Sequence, residues 1–422
     1  MKPPLAQVAR FWLKFGFISF GGPSGQIALM HAELVERRGW IPESRFLDAL
    51  NFCMLLPGPE AHKLAIYCGW FLHRSLGGII AGVLFILPSA VLLWVLSWIY
   101  VTHGDVPWIA SVFYGLQPAV IAVIAVAVIR LGRRILRNGL TWLLAGISFV
   151  SIFVLKVPFP LILAGAALVG VIVGTVWPSA FALSTASDRG QELAPAVVDS
   201  PSFLRSAGVF GACISLWLAP VVAVGCWRGW GDTSAQLGVF FSKAAMVTFG
   251  GAYAVLPFVA QQAVENYGWL SAEQMVNGLA LAESTPGPLI IVLQFVGFLA
   301  GWQHPGALSP LVAATVGAAV TTWATFLPSF LFVLVGAPYM DRLRRVRALS
   351  FALSAITAAV VGIMCNLGVW FAMHVVFPRG EVDLFAAALT AGLFAIALRW
   401  KWDAVFIILA GAAAGIAYRM FL

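Results

Sequence analysis

The sequence predicts an all-α polytopic membrane protein built from two homologous halves of inverted topology. Three observations carry this. First, 61% of the 422 residues are hydrophobic and 10% are charged, and mean hydropathy is +0.95; a soluble domain carries about 25% charged residues. Second, apolar runs long enough to cross a bilayer recur along the chain. The weaker alternating segments of a transmembrane β-barrel are absent. Third, one cassette occurs twice. Phe20-Gly21-Gly22, Gly39-Trp40 and Pro57-Gly58-Pro59 recur at an offset of 229 as Phe249-Gly250-Gly251, Gly268-Trp269 and Pro286-Gly287-Pro288. Lys14 and Lys243 share the same offset, and Leu87-Pro88-Ser89 returns, slightly shifted, as Leu327-Pro328-Ser329.

The elements follow in order. Residues 11–31 and 46–72 are apolar segments broken by Gly-Gly-Pro and Pro-Gly-Pro. Spans are expected near 77–100, 108–130, 139–156 and 158–178. These make a first repeat over 1–178. A cytoplasmic linker and a connecting helix near 207–227 occupy 179–235; the linker carries Asp188, Arg189, Glu192, Asp199 and Arg205. The second repeat, 236–422, has broken segments near 236–262 and 275–301. Its spans are expected near 308–338, 349–376, 383–399 and 403–421.

Basic residues orient this scheme, because clusters of Lys and Arg favour the cytoplasm. Arg130, Arg133, Arg134 and Arg137 follow one helix of the first repeat; Arg342, Arg344, Arg345 and Arg347 precede its counterpart in the second. Equivalent helices therefore cross in opposite directions. The N-terminus is expected in the cytoplasm and the C-terminus outside, in a bacterial inner membrane. The start of the chain lacks a cleavable signal pattern. The net charge of +8 lies in short loops, which argues against nucleic-acid binding. The five cysteines form no CxxC, and no Cys/His cluster has metal spacing, so no metal or cofactor is expected. An intramembrane enzyme is disfavoured by the absence of HExxH or a Ser/His pairing.

The breaks carry the chemistry. Proline removes an N–H and glycine permits unusual angles, so the chain leaves the helix at these points. Freed backbone groups at membrane depth must face protein or a water-filled cavity. Broken helices at matching positions of inverted repeats point to a transporter and its site. A helix that restarts after a break presents N–H groups and a positive dipole end, which suits an anion. Candidate substrate-binding residues are therefore Gly21, Gly22, Pro23, Gln26, Pro57, Gly58, Pro59, Gly250, Gly251, Ser284, Thr285, Pro286, Gly287 and Pro288. Ser19 is a further neutral donor. Lys14 and Lys243 are candidates to neutralise a dianion or line its path. Glu60 and Glu283, each beside a break, are candidate proton carriers; Lys63 is placed to pair with Glu60. Trp40 and Trp269 are expected as interfacial anchors. The flat, Gly/Ala-rich trailing helices suggest a homodimer within the lipid.

The stretches FISFGGPSGQIALMHAELVERRGWI and LNFCMLLPGPEAHKLAIYCGW, with MVTFGGAYAVLPFVAQQAVENYGW and LALAESTPGPLIIVLQFVGFLAGW, resemble the long two-domain form of the chromate ion transporter family. The resemblance covers nearly the whole chain. It implies export of chromate from the bacterial cytoplasm, driven by the proton-motive force and conferring chromate resistance, with occasional links to sulfate. Gly21, Gly22, Pro23, Gln26, Pro57, Gly58, Pro59 and Glu60 match its first motif. Gly250, Gly251, Glu283, Pro286, Gly287 and Pro288 match its second. His62-Lys63 departs from it. Membrane potential, proton antiport or both are expected to drive export. A transporter of sulfate or another oxyanion, and a passive anion channel, are the alternatives.

Overall fold

The computed structural model describes residues 3–104, 106–178, 203–343, 346–400 and 402–420. The expected linker residues Asp188, Arg189, Glu192 and Asp199 lie outside them. The first repeat contains α1 (Leu5–Ile18), α2 (Gly22–His31), α3 (Glu43–Leu55), α4 (Glu60–His103), α5 (Pro107–Ile135), α6 (Gly139–Phe153) and α7 (Phe159–Val176). A connecting helix α8 (Phe203–Arg228) follows. The second repeat contains α9 (Thr233–Met246), α10 (Ala252–Ala260), α11 (Ala272–Ser284), α12 (Val292–Gln303) and α13 (Pro310–Gly336). The short turn α14 (Met340–Leu343) leads to α15 (Arg347–Val376), α16 (Leu384–Trp400) and α17 (Ala404–Met420). Among the described residues, six helices are long and apolar enough to cross a membrane.

The repeat is structural as well as sequential. The π-helical turns Ala32–Arg37 and Gln261–Asn266 fall at the same offset as the cassettes, and so do α3 and α11. Such turns interrupt a helix where the chain must change direction.

The broken segments double back on themselves. The Trp40 ring packs against Phe11 at 5.5 Å, and the Arg38 guanidinium lies 4.9 Å from the same ring. The chain after α2 has thus returned to the level of mid-α1. The second repeat repeats the contact with Trp269 on Phe240 at 5.6 Å. Next, Phe52 of α3 meets Tyr67 of α4 at 6.1 Å, so the start of α4 runs back along α3. Helical geometry is lost at His73 and Arg74, the latter at φ 54. The chain reverses there. A methyl at Gly69 would lie 2.2 Å from the Gly77 carbonyl oxygen, an approach only glycines permit. The span expected at 77–100 is therefore the outer leg of α4. Among the described residues the six long apolar helices are α4, α5, α7, α8, α13 and α15, the last running from Arg347 to Val376, and α6, α16 and α17 are shorter apolar helices.

Trp269 is 2% exposed. It stacks on Tyr267 at 4.2 Å rather than standing at an interface. Its role, shared with Trp40, is to pin the return of a hairpin.

The trailing helices interlock across the repeats. α5 lies against α17, where methyls at Gly115 and Gly415 would strike each other's backbone, and α7 lies against α15 through Gly170 and Gly174. Gly362 of α15 touches Ala145 of α6 in the same way. These small residues are used within one chain.

Candidate functional site

Six glycines at the breaks take left-handed angles: φ is 87 at Gly21, 69 at Gly22, 108 at Gly58, 77 at Gly250, 98 at Gly251 and 105 at Gly287. Any other residue there would cost about 1–2 kcal/mol. Pro23 lies in the first turn of α2, Pro59 caps α4, and Pro288 precedes a short turn, Leu289–Ile291, that feeds α12. Pro57 and Pro286 are buried.

The tips are exchanged between the repeats. Gly58 N donates to Thr248 O at 2.7 Å, and Gly287 N donates to Ser19 O at 2.9 Å. Ser19 and Thr248 are repeat partners, as are Gly58 and Gly287. Each repeat's second break thus hydrogen-bonds the other's first. The Leu-Pro-Ser motifs obey the same exchange. A methyl at Gly58 would lie 2.7 Å from Ser329 Oγ, and one at Gly287 would lie 2.4 Å from Ser89 Oγ. Ser89 and Ser329 are wholly buried, and the Ser329 hydroxyl has no partner. Four helical starts, at Gly22, Glu60, Ala252 and Leu289, therefore meet around two crossed tips. Their free N–H groups make a setting that favours negative charge.

The side chains break this symmetry. Gln26 is wholly buried and donates through Nε2 to Ser19 O at 3.2 Å and to Gly287 O at 2.6 Å. Its repeat partner is Val255, which can do neither. Glu283 is 6% exposed and accepts a hydrogen bond from the Tyr253 hydroxyl. The repeat partners of these two are Met54 and Ser24. Glu60 lies at the second of the two Gly-Gly breaks, with Oε1 3.8 Å from where a Gly251 side chain would begin; its own partner is Leu289. The two carboxylates, which are not repeat-equivalent, thus converge on the start of α10. The second break is closed further by Val360 of α15, 3.6 Å from the side-chain position of Gly250. At the first break a methyl on Gly22 would meet nothing within 4 Å, and one on Gly21 would meet only Gly25 Cα at 3.9 Å.

Other expected residues sit differently. Lys63 forms no ion pair with Glu60. It is 1% exposed, and its ammonium donates to Leu56 O, a carbonyl freed where α3 ends. Lys14 and Lys243 are exposed on the outer sides of α1 and α9, with no hydrogen bond or ion pair among the described residues. Ser284 and Thr285 lie at the second repeat's tip, but their hydroxyls donate to Leu281 O and Ala282 O at 2.8 and 3.0 Å. No group of His, Cys, Asp and Glu able to hold a metal occurs among the described residues. The sequence reading did not assign Tyr253, Thr248 or Val360 to the site. It found the Leu-Pro-Ser repeat without assigning Ser89 and Ser329 to the tips.

The family described as chromate transporter matches residues 6–171 and 235–416. A chromate transport protein of Pseudomonas aeruginosa is 34% identical over 98% of this chain and 92% of its own length. That of Cupriavidus metallidurans is 32% identical over 97% and 92%. An uncharacterized transporter of Methanocaldococcus jannaschii is 25% identical over 88% and 86%. No solved structure matches the chain. Two matched blocks, one on each side of α8, and relatives covered almost end to end leave one assignment: the chain belongs to the chromate transporter family.

Proposed function

We propose that this protein is a secondary transporter that exports chromate across the bacterial inner membrane and so confers resistance to it. The observation that carries the reading is the meeting of four helical starts around two exchanged Gly/Pro tips, with the first break open and the second bearing carboxylates. The open break offers N–H groups to a tetrahedral oxyanion. The names of the relatives supply chromate as the cargo.

An inside-negative potential favours exit of an anion by about 2.3 kcal/mol per charge for each 100 mV. Proton antiport adds to this through Glu283, with Glu60 as the second carrier. The face bearing Arg38, His73 and Arg130 is the cytoplasmic one in this reading, which places the N-terminus inside and the C-terminus outside. The halves act as two repeats, 1–178 and 236–422, joined by a cytoplasmic linker and α8. Pairing of two copies in the membrane belongs to the same proposal.

Chromate uptake into everted inner-membrane vesicles tests it. Uptake that needs this protein and responds to an imposed pH gradient at clamped voltage is the expected result. Absence of uptake, or complete suppression by sulfate, would move the assignment to another oxyanion.

A further inference from the structure

Gln26 is only half satisfied. Its Nε2 holds two carbonyl oxygens, Ser19 O and Gly287 O, while Oε1 is buried with no partner. The orientation of the amide is fixed by these contacts, because reversing it would set its oxygen against both carbonyls. The Ser19 hydroxyl is also wholly buried and unpartnered. Buried polar groups almost always find a partner, so an orphan of this kind requires an explanation.

Its position supplies one. Gln26 lies one helical turn beyond Gly22, and helical side chains lean towards the N-terminus. Its bonds to Ser19 O and Gly287 O place the amide at the break itself. There the start of α2 offers N–H donors beside open space at Gly22. An oxyanion docked there meets donors from the helix and one bare acceptor from Gln26. A fully ionised tetrahedral anion has no hydrogen to give that acceptor. A monoprotonated one presents oxygens to the N–H groups and its single O–H to Oε1.

We propose that the first break selects the monoprotonated oxyanion, with Gln26 Oε1 accepting its hydroxyl, and that this separates chromate from sulfate. The inference rests on the transport reading above; because the monoprotonated anion carries one proton outward, Glu283 and Glu60 must together return two protons per anion if the pH gradient is to drive export. Chromate takes up a proton just below neutral pH, whereas sulfate does so only in strong acid. Sulfate therefore arrives with oxygens alone and sets one against the Gln26 carbonyl, a repulsive element of the kind specific sites use. The second break has Val255 at this position and no such discriminator.

Protein groups must be separated from the proton of the anion. The titratable side chains on α2 and facing it are His31 on α2 itself, Glu33, Glu36 and Arg37 in the following turn, Glu43 of α3 at 3.9 Å from His31, and Glu60, His62 and Lys63 at the start of α4. None of them hydrogen-bonds Gln26, and the exchanged tip brings Glu283 from the second repeat.

The test is equilibrium binding of chromate to the purified full-length protein from just below neutral pH upward, with sulfate as competitor. Above the pKa of the anion, apparent affinity for total chromate is expected to fall about tenfold per pH unit. Sulfate is expected not to compete. The slope is expected to persist in Glu283→Gln and Glu60→Gln, and to flatten in Gln26→Leu. The two carboxylate variants keep the test decisive if Gln26→Leu fails to fold. Chromate binding that ignores pH, that sulfate blocks, or whose slope disappears in either carboxylate variant overturns the selection and leaves transport standing. Absence of chromate binding at every pH overturns both.

Discussion

Gly21-Gly22 and Gly250-Gly251 bend the chain through similar left-handed angles, yet one pair faces open space and the other is closed by Val360 and Glu60. The first break is lined by a neutral amide. The second is flanked by Glu60 and by the Tyr253–Glu283 hydrogen bond. The repeated residues are those that set the backbone and let tips pack closely. In the proposed function the residues that differ, Gln26 against Val255 and Glu283 against Met54, carry the chemistry on a backbone scaffold that the halves share.

Six substitutions sharpen or break this comparison. Gly287→Ala and Gly58→Ala should have the largest effect. Each adds left-handed strain and drives a methyl into a buried serine, for about 2–5 kcal/mol together. Transport is expected to vanish and the melting temperature of the detergent-solubilised protein to drop, by similar amounts in both. A large effect at one position alone would mean the exchanged tips are not mechanically equivalent. Glu283→Gln comes next. Gradient-driven chromate transport should fall by about a hundredfold or more, as when a proton-transfer group is lost, and the remainder should no longer respond to pH. Wild-type pH dependence in this variant would remove Glu283 from the proton path.

Gly22→Ala tests the open break. Strain of about 1–2 kcal/mol is expected in the melt, with a fall of roughly tenfold in transport, because the methyl projects into the space where an anion would approach the backbone. Activity that merely tracks stability would make Gly22 a bend and nothing more. Lys14→Ala and Lys243→Ala should be the mildest. Exposed charges contribute little, so transport is expected to change by less than about twofold. A severe loss in either would return these lysines to the anion path.

Much of this architecture was legible in the sequence because Gly and Pro are costly inside membrane helices, and their repetition at one offset marks both breaks. Hydropathy could not say that the segments double back, since a returning leg is as apolar as a crossing one. That followed from Trp40 on Phe11 and Trp269 on Phe240. Trp269 itself was read as an interfacial anchor from its place at a loop end, and the aromatic stack that buries it has no one-dimensional signature. The exchange of tips was hidden for a related reason. Gln26 and Gly287 are 261 positions apart, and nothing periodic links them. Lys63 looked like a partner for Glu60 by helical spacing, yet a freed carbonyl on the neighbouring leg lies closer to its ammonium.

The exchanged tips also constrain how the protein is made. While the first half enters the membrane, Gly58 N has no partner, because Thr248 has not yet been synthesised, and Ser19 O has only the Gln26 amide. An unpaired polar backbone group in hydrocarbon is unstable. The first hairpins must therefore wait beside the insertion machinery, or hold water, until the second half arrives in the opposite orientation. A ribosome that stops within α8 would leave a product with all the spans of its repeat and no way to close its own breaks, and this is the form that cellular quality control would meet first.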